Sequence, residues 1–504
     1  MTTKTHQTEP HRSALGRRRF VRDALSLAGV GATAGLTRAL PRSAKAASAD
    51  PTSANDRKLL FVVCAAGGAS IIDSFLPISA DEAGSEELAD TLDTYPSDWI
   101  VQPPDSEIRC VRALEDTSYY TTSYSMADLL SRHYRDMLVV THEVTSVNHA
   151  VAQKRAVTGA DVNGGRTISE AVAEIHGASL PLANVNMAVG GYAEPGGDPS
   201  LPVSARAEFI AAPRLFALAT DGTRAISGAP DRARMDQIRQ TRLGFEQAGA
   251  FSKTFRAAPL LEGYLEARER ARGLEELELF DELLLFANDE IPTNLGLSPS
   301  PMLAELLSVF PRLAHDQWEQ QAALSFLLAY YGVTVASTLS VQAATVQDGD
   351  DLISTPLAFD FSHTDHRTAQ NVMWGRISLV LDGLITLLKS FDYLGDPSQG
   401  KMWDRSLIYV ATDFGRDKVR PAGANRWGTG HDLNNGSLLI SPLLQGNRIF
   451  GGVDPTTGLT HGFDPRTGQP DRDAQQREGD IYSVIAQAMG VDFPGRRDMS
   501  ALVR

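Results

Sequence analysis

Apolar and polar positions alternate along this chain in blocks that change period. Residues 59–66 (Leu-Leu-Phe-Val-Val-Cys-Ala-Ala) form a continuous apolar run that ends at Gly67-Gly68. A strand buried on both faces has that pattern, and paired glycines let the backbone turn sharply after it. Similar runs at 137–144, 182–189, 407–411 and 437–440 predict further strands. Between them, apolar positions recur at helical spacing over 128–135, 149–158, 166–176, 368–391 and 480–489. Strands alternating with helices imply an α/β fold, doubly wound around a mainly parallel sheet.

Two regions depart from this alternation. Residues 192–320 are rich in Arg, Glu and Leu at helical spacing, which predicts a helical insertion packed beside the sheet. Residues 322–347 carry no formal charge. They read either as a membrane span or as a buried helix over 322–331, a turn at Gly332 and a strand over 333–341; the Tyr, Ser, Thr and Gln content favours the second reading. Residues 80–108 are acidic and contain proline, which predicts loop.

The N-terminus stands apart. Gly16-Arg17-Arg18-Arg19-Phe20-Val21-Arg22 fits the twin-arginine export pattern. A weakly apolar segment (24–36) follows, then small residues suited to signal peptidase over 44–49. The expected product is a periplasmic or secreted protein, with residues 1–49 as leader and 50–504 as one α/β domain with its insertion. The leader holds nine basic and two acidic side chains, so the formal charge falls from −15 to −22 without it. So acidic a body argues against nucleic acid and anionic membrane surfaces as partners. Of the two cysteines, Cys64 lies in the first apolar run; a disulfide is permitted after export, and buried free thiols are the alternative.

Candidate chemistry gathers where apolar runs end. Asp73 follows the glycine turn. His149 follows the second run at a helix start. Asp360 stands close to His363 and His366, and Asp413 is followed by Arg416 and His431. Parallel strands put their carboxyl ends on one rim, where α/β proteins bind ligands. Mixed carboxylate and imidazole donors suit Zn²⁺, Mn²⁺ or iron. One or two such ions can polarise a phosphoryl or sulfuryl oxygen and activate an oxygen nucleophile.

These motifs also resemble those of the bacterial domain-of-unknown-function 1501 family. The matching segments are Gly67-Gly-Ala-Ser-Ile-Ile-Asp73-Ser-Phe, His149 with Thr158-Gly159, Phe359-Asp360 with His363, Thr412-Asp413-Phe-Gly-Arg416, Gly428-Thr-Gly-His431 and Gly451-Gly452. That family is grouped with alkaline phosphatases and sulfatases. The resemblance implies an alkaline-phosphatase-like sandwich with a two-metal site, and an exported hydrolase of phosphate or sulfate esters. By position, Asp73, Asp360, His363 or His366, Asp413 and His431 would hold metal. His149 would meet an anionic ester as base or nucleophile, and Arg416 would either offset its charge or pair with Asp413. Phe414 stands where the superfamily has His, and His149 where sulfatase-like enzymes have Ser, Thr or Cys. Those departures favour the alternative, a catalytically degenerate relative that binds a ligand or partner in the cell envelope.

Overall fold

A computed structural model describes residues 56–504 apart from 115–123, 221–227, 229, 257–258, 286–298, 341–343 and 349–350. The leader expected over 1–49 lies outside the described residues. The centre is an eight-stranded sheet built from β1 (Leu59–Ala65), β2 (Met137–Glu143), β3 (Asn184–Asn186), β4 (Glu208–Phe209), β5 (Ala336–Leu339), β6 (Ser406–Thr412), β7 (Asn434–Ile440) and β8 (Arg448–Phe450). Their order across the sheet is β8-β2-β7-β6-β1-β5-β3-β4.

Every pairing is parallel except the two made by β7, which runs against β6 and β2. The fold is therefore α/β with a large, mainly parallel mixed sheet. The one reversed strand matters for function. Its first residue, Asn434, lies opposite Glu143, the last of β2. The amino end of β7 thus sits on the rim where its neighbours have their carboxyl ends, and the segment leading into it, His431–Asp432, arrives there too.

All seven residues of β1 and all seven of β6 are buried. Helices cover them in two groups. One contains α1 (Met126–His133), α4 (Gln317–Tyr330) and α5 (His366–Ser390), the other α2 (His149–Thr158), α3 (Ile168–His176) and α6 (Glu478–Met489). The local sequence accounts for the ends of α2. Asn148 accepts from the Val151 amide as N-cap, and Gly159 closes the helix in the left-handed conformation.

The apolar tract at 322–347 contributes most of α4, then β5, with a turn at Gly332 between them. The helix and the strand are buried in the core, so the helix–strand reading holds through Leu339. Among the described residues, α5 alone is long and apolar enough to cross a membrane, and 89% of its most apolar window is buried inside the fold. It begins two residues before the pattern's start at 368, because Asp365 caps it through the Thr368 amide.

The 192–320 region holds helices Arg232–Ala248, Ala250–Thr254, Pro259–Glu276, Phe280–Leu283 and Leu303–Val309. It also carries β4, which extends the edge of the sheet. Both cysteines are buried free thiols.

Candidate metal centre

Two clusters of acids and imidazoles form on this rim, at different depths. The glycine loop after β1 stands between them. Gly67 and Gly68 have φ of +105° and +79°. A Cβ on Gly67 would lie 2.9 Å from the Asp360 amide nitrogen, and one on Gly68 would lie 2.6 Å from Arg416 Nε. Only glycine permits both the backbone conformation and so close an approach.

Asp413 is the first residue past β6. Its Oδ1 accepts from the Gly68 amide at 2.6 Å and its Oδ2 from the Gly67 amide at 3.1 Å. The same Oδ2 accepts from His149 Nδ1 at 2.7 Å and from Gln153 Nε2 at 3.4 Å. Asp413 is fully buried and its oxygens are occupied, so it stands one layer behind the surface and orients His149.

Arg416 is buried as well. It donates to the carbonyls of Gly67, Gly68 and Phe359 and pairs with Asp360 Oδ1 at 3.4 Å. One further nitrogen, Nη1, reaches His363 Nε2 at 3.3 Å. Its donors therefore clamp the glycine loop and the Asp360 turn beneath the surface.

The upper cluster contains His149, Asp360, His363 and His431. The His149, Asp360 and His431 donor atoms all lie within 4.8 Å of one another. His149 Nε2 is 3.3 Å from Asp360 Oδ1, and His363 Nε2 is 3.0 Å from His431 Nε2. A tetrahedral ion with bonds of 2.0–2.1 Å holds its ligands roughly 3.3 Å apart.

Hydrogen bonds fix the tautomers of two of these rings. A carboxylate or carbonyl oxygen can only accept, so His149 Nδ1 donates to Asp413 and His431 Nδ1 donates to the Val147 carbonyl at 2.9 Å. In the neutral rings, both Nε2 lone pairs then face the cluster. An imidazole whose outer nitrogen is bound to carboxylate or carbonyl is the usual supporting arrangement of a metal-ligating histidine. Arg416 can only donate, so its Nη1 engages the single lone pair of His363 Nε2, and His363 stands at the margin of the cluster, 3.0 Å from His431 Nε2.

Electrostatics differ around the cluster. The Asp413 hydrogen bond raises the His149 pKa above its ordinary value. Burial, with Arg416 nearby, lowers that of His431. Phe414 stacks beneath the site. Its ring centroid is 4.0 Å from His431 and 4.6 Å from His149.

Asp360 comes from the turn Phe359–His363, and the strand before that turn (Asp351–Leu357) belongs to a separate two-stranded ribbon with Ala344–Asp348. Its delivery to the rim is therefore not that of a central strand end. His431 pairs with Arg416 in a short antiparallel ribbon, which carries it back to the rim.

The lower cluster is closed to solvent. Asp73, Asp93 and His366 offer donor atoms within 4.8 Å of one another, and all three are buried. These buried groups could hold a metal ion. His366 Nε2 lies 3.2 Å from Asp73 Oδ2 and 3.0 Å from Asp93 Oδ2, without the directionality of a hydrogen bond to either. However, a lysine already occupies this place. Lys418 Nζ sits 2.7 Å from Asp73 Oδ2 and 2.8 Å from Ser70 Oγ, and Arg367 pairs with Asp93 at 3.2 Å. Burial would raise the Asp73 pKa, but Lys418 and His366 hold it well below the usual carboxylate value. Asp93 is raised by burial and by the charge of Asp73.

Thus the expected metal residues are divided: Asp360, His363 and His431 reach the upper cluster, Asp73 and His366 the lower, and Asp413 supports His149. The sequence reading did not single out Asp93, Lys418 or Gln153. Lys418 was within reach of that reading, since in extended chain it shares a face with Arg416 two residues earlier. Asp93 lies in an acidic, Pro-containing stretch and carries no such signal. No family model matches this chain, and no curated protein matches it.

Proposed function

We propose that this protein is an exported, metal-dependent hydrolase of phosphate or sulfate esters, with its ion in the upper cluster. The observation that carries this reading is the pair of imidazoles, His149 and His431, whose outer nitrogens are tied to Asp413 and to the Val147 carbonyl. That arrangement aims two unprotonated nitrogens at the carboxylate of Asp360, with His363 alongside. His149, His431 and Asp360 supply two nitrogens and one oxygen, which suit Zn²⁺ and tolerate Mn²⁺; His363 Nε2 would join them only by giving up the hydrogen bond from Arg416. A bound ion would supply Lewis acidity toward the ester oxygen and toward water.

The chain's own groups do the rest. Asp413 keeps His149 in the required tautomer. Arg416 fixes Asp360 and the glycine loop from below. Phe414 excludes water from the underside of both rings. Residue 149 offers no hydroxyl or thiol, so the reaction proposed is direct attack by water. The water oxygen bonds to phosphorus or sulfur, the ester bond breaks, and the proton that water loses ends on the departing alkoxide. The resemblance to the domain-of-unknown-function 1501 proteins supports this reading, and a mainly parallel sheet covered by two helix groups is compatible with an alkaline-phosphatase-like arrangement. The twin-arginine pattern supports export, and the acidic body supports an anionic small molecule rather than nucleic acid as partner.

The second reading is a degenerate envelope protein that binds without turnover. It is favoured by Lys418, whose ammonium takes the Asp73 oxygen that a second ion would need. Metal content of the purified protein, with turnover of p-nitrophenyl phosphate and p-nitrophenyl sulfate, separates the two. Stoichiometric metal with turnover supports the hydrolase. Stoichiometric metal without turnover supports the binder. Protein that neither retains nor takes up metal ends the proposal.

A further inference from the structure

A helix in a folded protein gains most of its stability by burying one face. In the helical insertion, neither Arg232–Ala248, 17 residues long, nor Ala250–Thr254 buries a residue. Yet large apolar side chains stand on and just beyond them: Phe245 is 75% exposed, Ile238 50%, Phe251 45% and Phe255 37%. On the longer helix, Arg234, Ile238, Thr241, Arg242 and Phe245 recur at the spacing of one helical face, and together they line an open hollow. A second hollow, of about 490 Å³, lies between the end of that helix and Pro259–Glu276, and Phe251, Leu261 and Tyr264 are among its walls.

Side-chain contacts join the two hollows. The Phe251 ring centroid lies 5.0 Å from that of Phe255 and 6.1 Å from that of Tyr264. The Tyr264 hydroxyl donates to Glu246 Oε1 at 3.2 Å, and Arg242 Nε donates to the same oxygen at 2.7 Å. Glu246 is a wall of both hollows.

The charge of this face runs against that of the chain. Its walls hold Arg234, Arg242, Lys253 and Arg256 but a single acid, Glu246, which Arg242 and Arg268 already pair. The nearby acids Asp236 and Glu275 turn instead to Arg239. Arg234, Lys253 and Arg256 are exposed and pair with no acid among the described residues. The formal charge of −15 sets the chain as a whole against anionic surfaces. At physiological salt, however, exposed charges farther away than about 8 Å are largely screened, so contact here is governed by the face's own cations.

We propose that this face docks the protein on an anionic phospholipid surface, with Phe245, Phe251 and Phe255 entering the acyl boundary and Arg234, Lys253 and Arg256 meeting lipid phosphates. Aromatic side chains beside unpaired bases are the composition of helices that lie in a membrane interface. A second copy meeting this face with its own would bring the same three cations together, which disfavours a symmetric dimer here. The proposal is independent of the ester-hydrolase reading.

The test is cosedimentation of the full protein with vesicles of pure phosphatidylcholine and of equal parts phosphatidylcholine and phosphatidylglycerol. Binding should be stronger to the mixed vesicles and should weaken as salt is raised. One Lys or Arg beside an anionic membrane strengthens binding about fivefold, so R234Q/K253Q/R256Q should bind the mixed vesicles about a hundredfold more weakly. F245S/F251S should bind them about tenfold more weakly or less still, since two phenyl groups lose their apolar cover. The leader is basic as well, so wild type and variants are compared at one chain length, fixed by mass. All five positions are exposed, and an unchanged melting temperature checks that the variants fold.

Absence of binding to the mixed vesicles, or binding that both variants retain, would overturn the proposal. So would a dimer in light scattering that F245S/F251S dissolves while vesicles are not bound, which would make this a self-association face. Metal content and ester turnover should be unchanged in both variants. Failure here therefore leaves the hydrolase reading as it stands, and failure of that reading leaves vesicle binding expected.

Discussion

The two acid–imidazole clusters use the same residue types and lie on either side of one glycine loop, yet they solve opposite problems. In the lower cluster, Asp73 and Asp93 are fully buried and meet their counter-charges within the protein: Lys418, Arg367 and His366. Burying so many charges is tolerable only if they neutralise one another, and removing one partner leaves the rest uncompensated. The upper cluster is half-open, and its Asp360 is 55% exposed. Its supporting groups are buried but its donor atoms are not, and two of its imidazoles present lone pairs to a common space. The comparison teaches that donor identity alone does not define a metal site. What matters is whether a protein cation already fills the place, and whether outer hydrogen bonds orient the donors.

Four tests break or sharpen this contrast. The largest effect is expected from His431→Ala or His149→Ala, which should abolish bound metal and reduce ester turnover to background. The partly exposed His431 should change folding stability by only about 0.5 kcal/mol, whereas loss of the His149 hydrogen bond to the buried Asp413 should cost about 1–3 kcal/mol. Metal analysis beside chemical denaturation reads both.

Next comes Lys418→Met. It keeps the bulk of the side chain but strips the cation from Asp73, and should cost about 3–5 kcal/mol of stability. Upper-cluster metal should stay in place. If an added divalent ion restored the melting temperature of this variant, the lower cluster would have been turned into a metal site by that one change.

Asp413→Asn is expected to act more mildly. Losing the carboxylate behind His149 should weaken metal affinity by about 10–100-fold, as measured by competition with a chelator, while the fold persists.

The smallest effect concerns pH. Burial lowers the His366 pKa, but Asp73 and Asp93 outweigh it, so the folded value lies above 6.5. The folded state then holds this proton more tightly than the unfolded chain does. Its stabilising contribution is full below pH 6.5 and is lost as pH rises through the raised value. The denaturation midpoint should fall over that interval, and His366→Gln should lack this part of the slope.

Much of this frame could be read from the chain. The runs ending at Gly67 and Asp413 became β1 and β6, and Asn148 became the cap of α2, because apolar runs and cap residues act locally. The reversal of β7 could not be read. An apolar run does not encode strand direction, and that direction brings His431 to the rim. Nor could depth be read: Asp73 and Asp360 look alike as acids following apolar segments, but the first is 1% exposed and the second lies open at the surface. Distance along the chain hides the partners that decide the matter, since Lys418 lies 345 residues from Asp73.

The most direct test is anomalous diffraction from a crystal soaked in Zn²⁺ or Mn²⁺, measured at the absorption edge of the ion. The account predicts a peak bounded by His149 Nε2, Asp360, His363 Nε2 and His431 Nε2. A peak among Asp73, Asp93 and His366 instead, or no peak at either cluster, would contradict it.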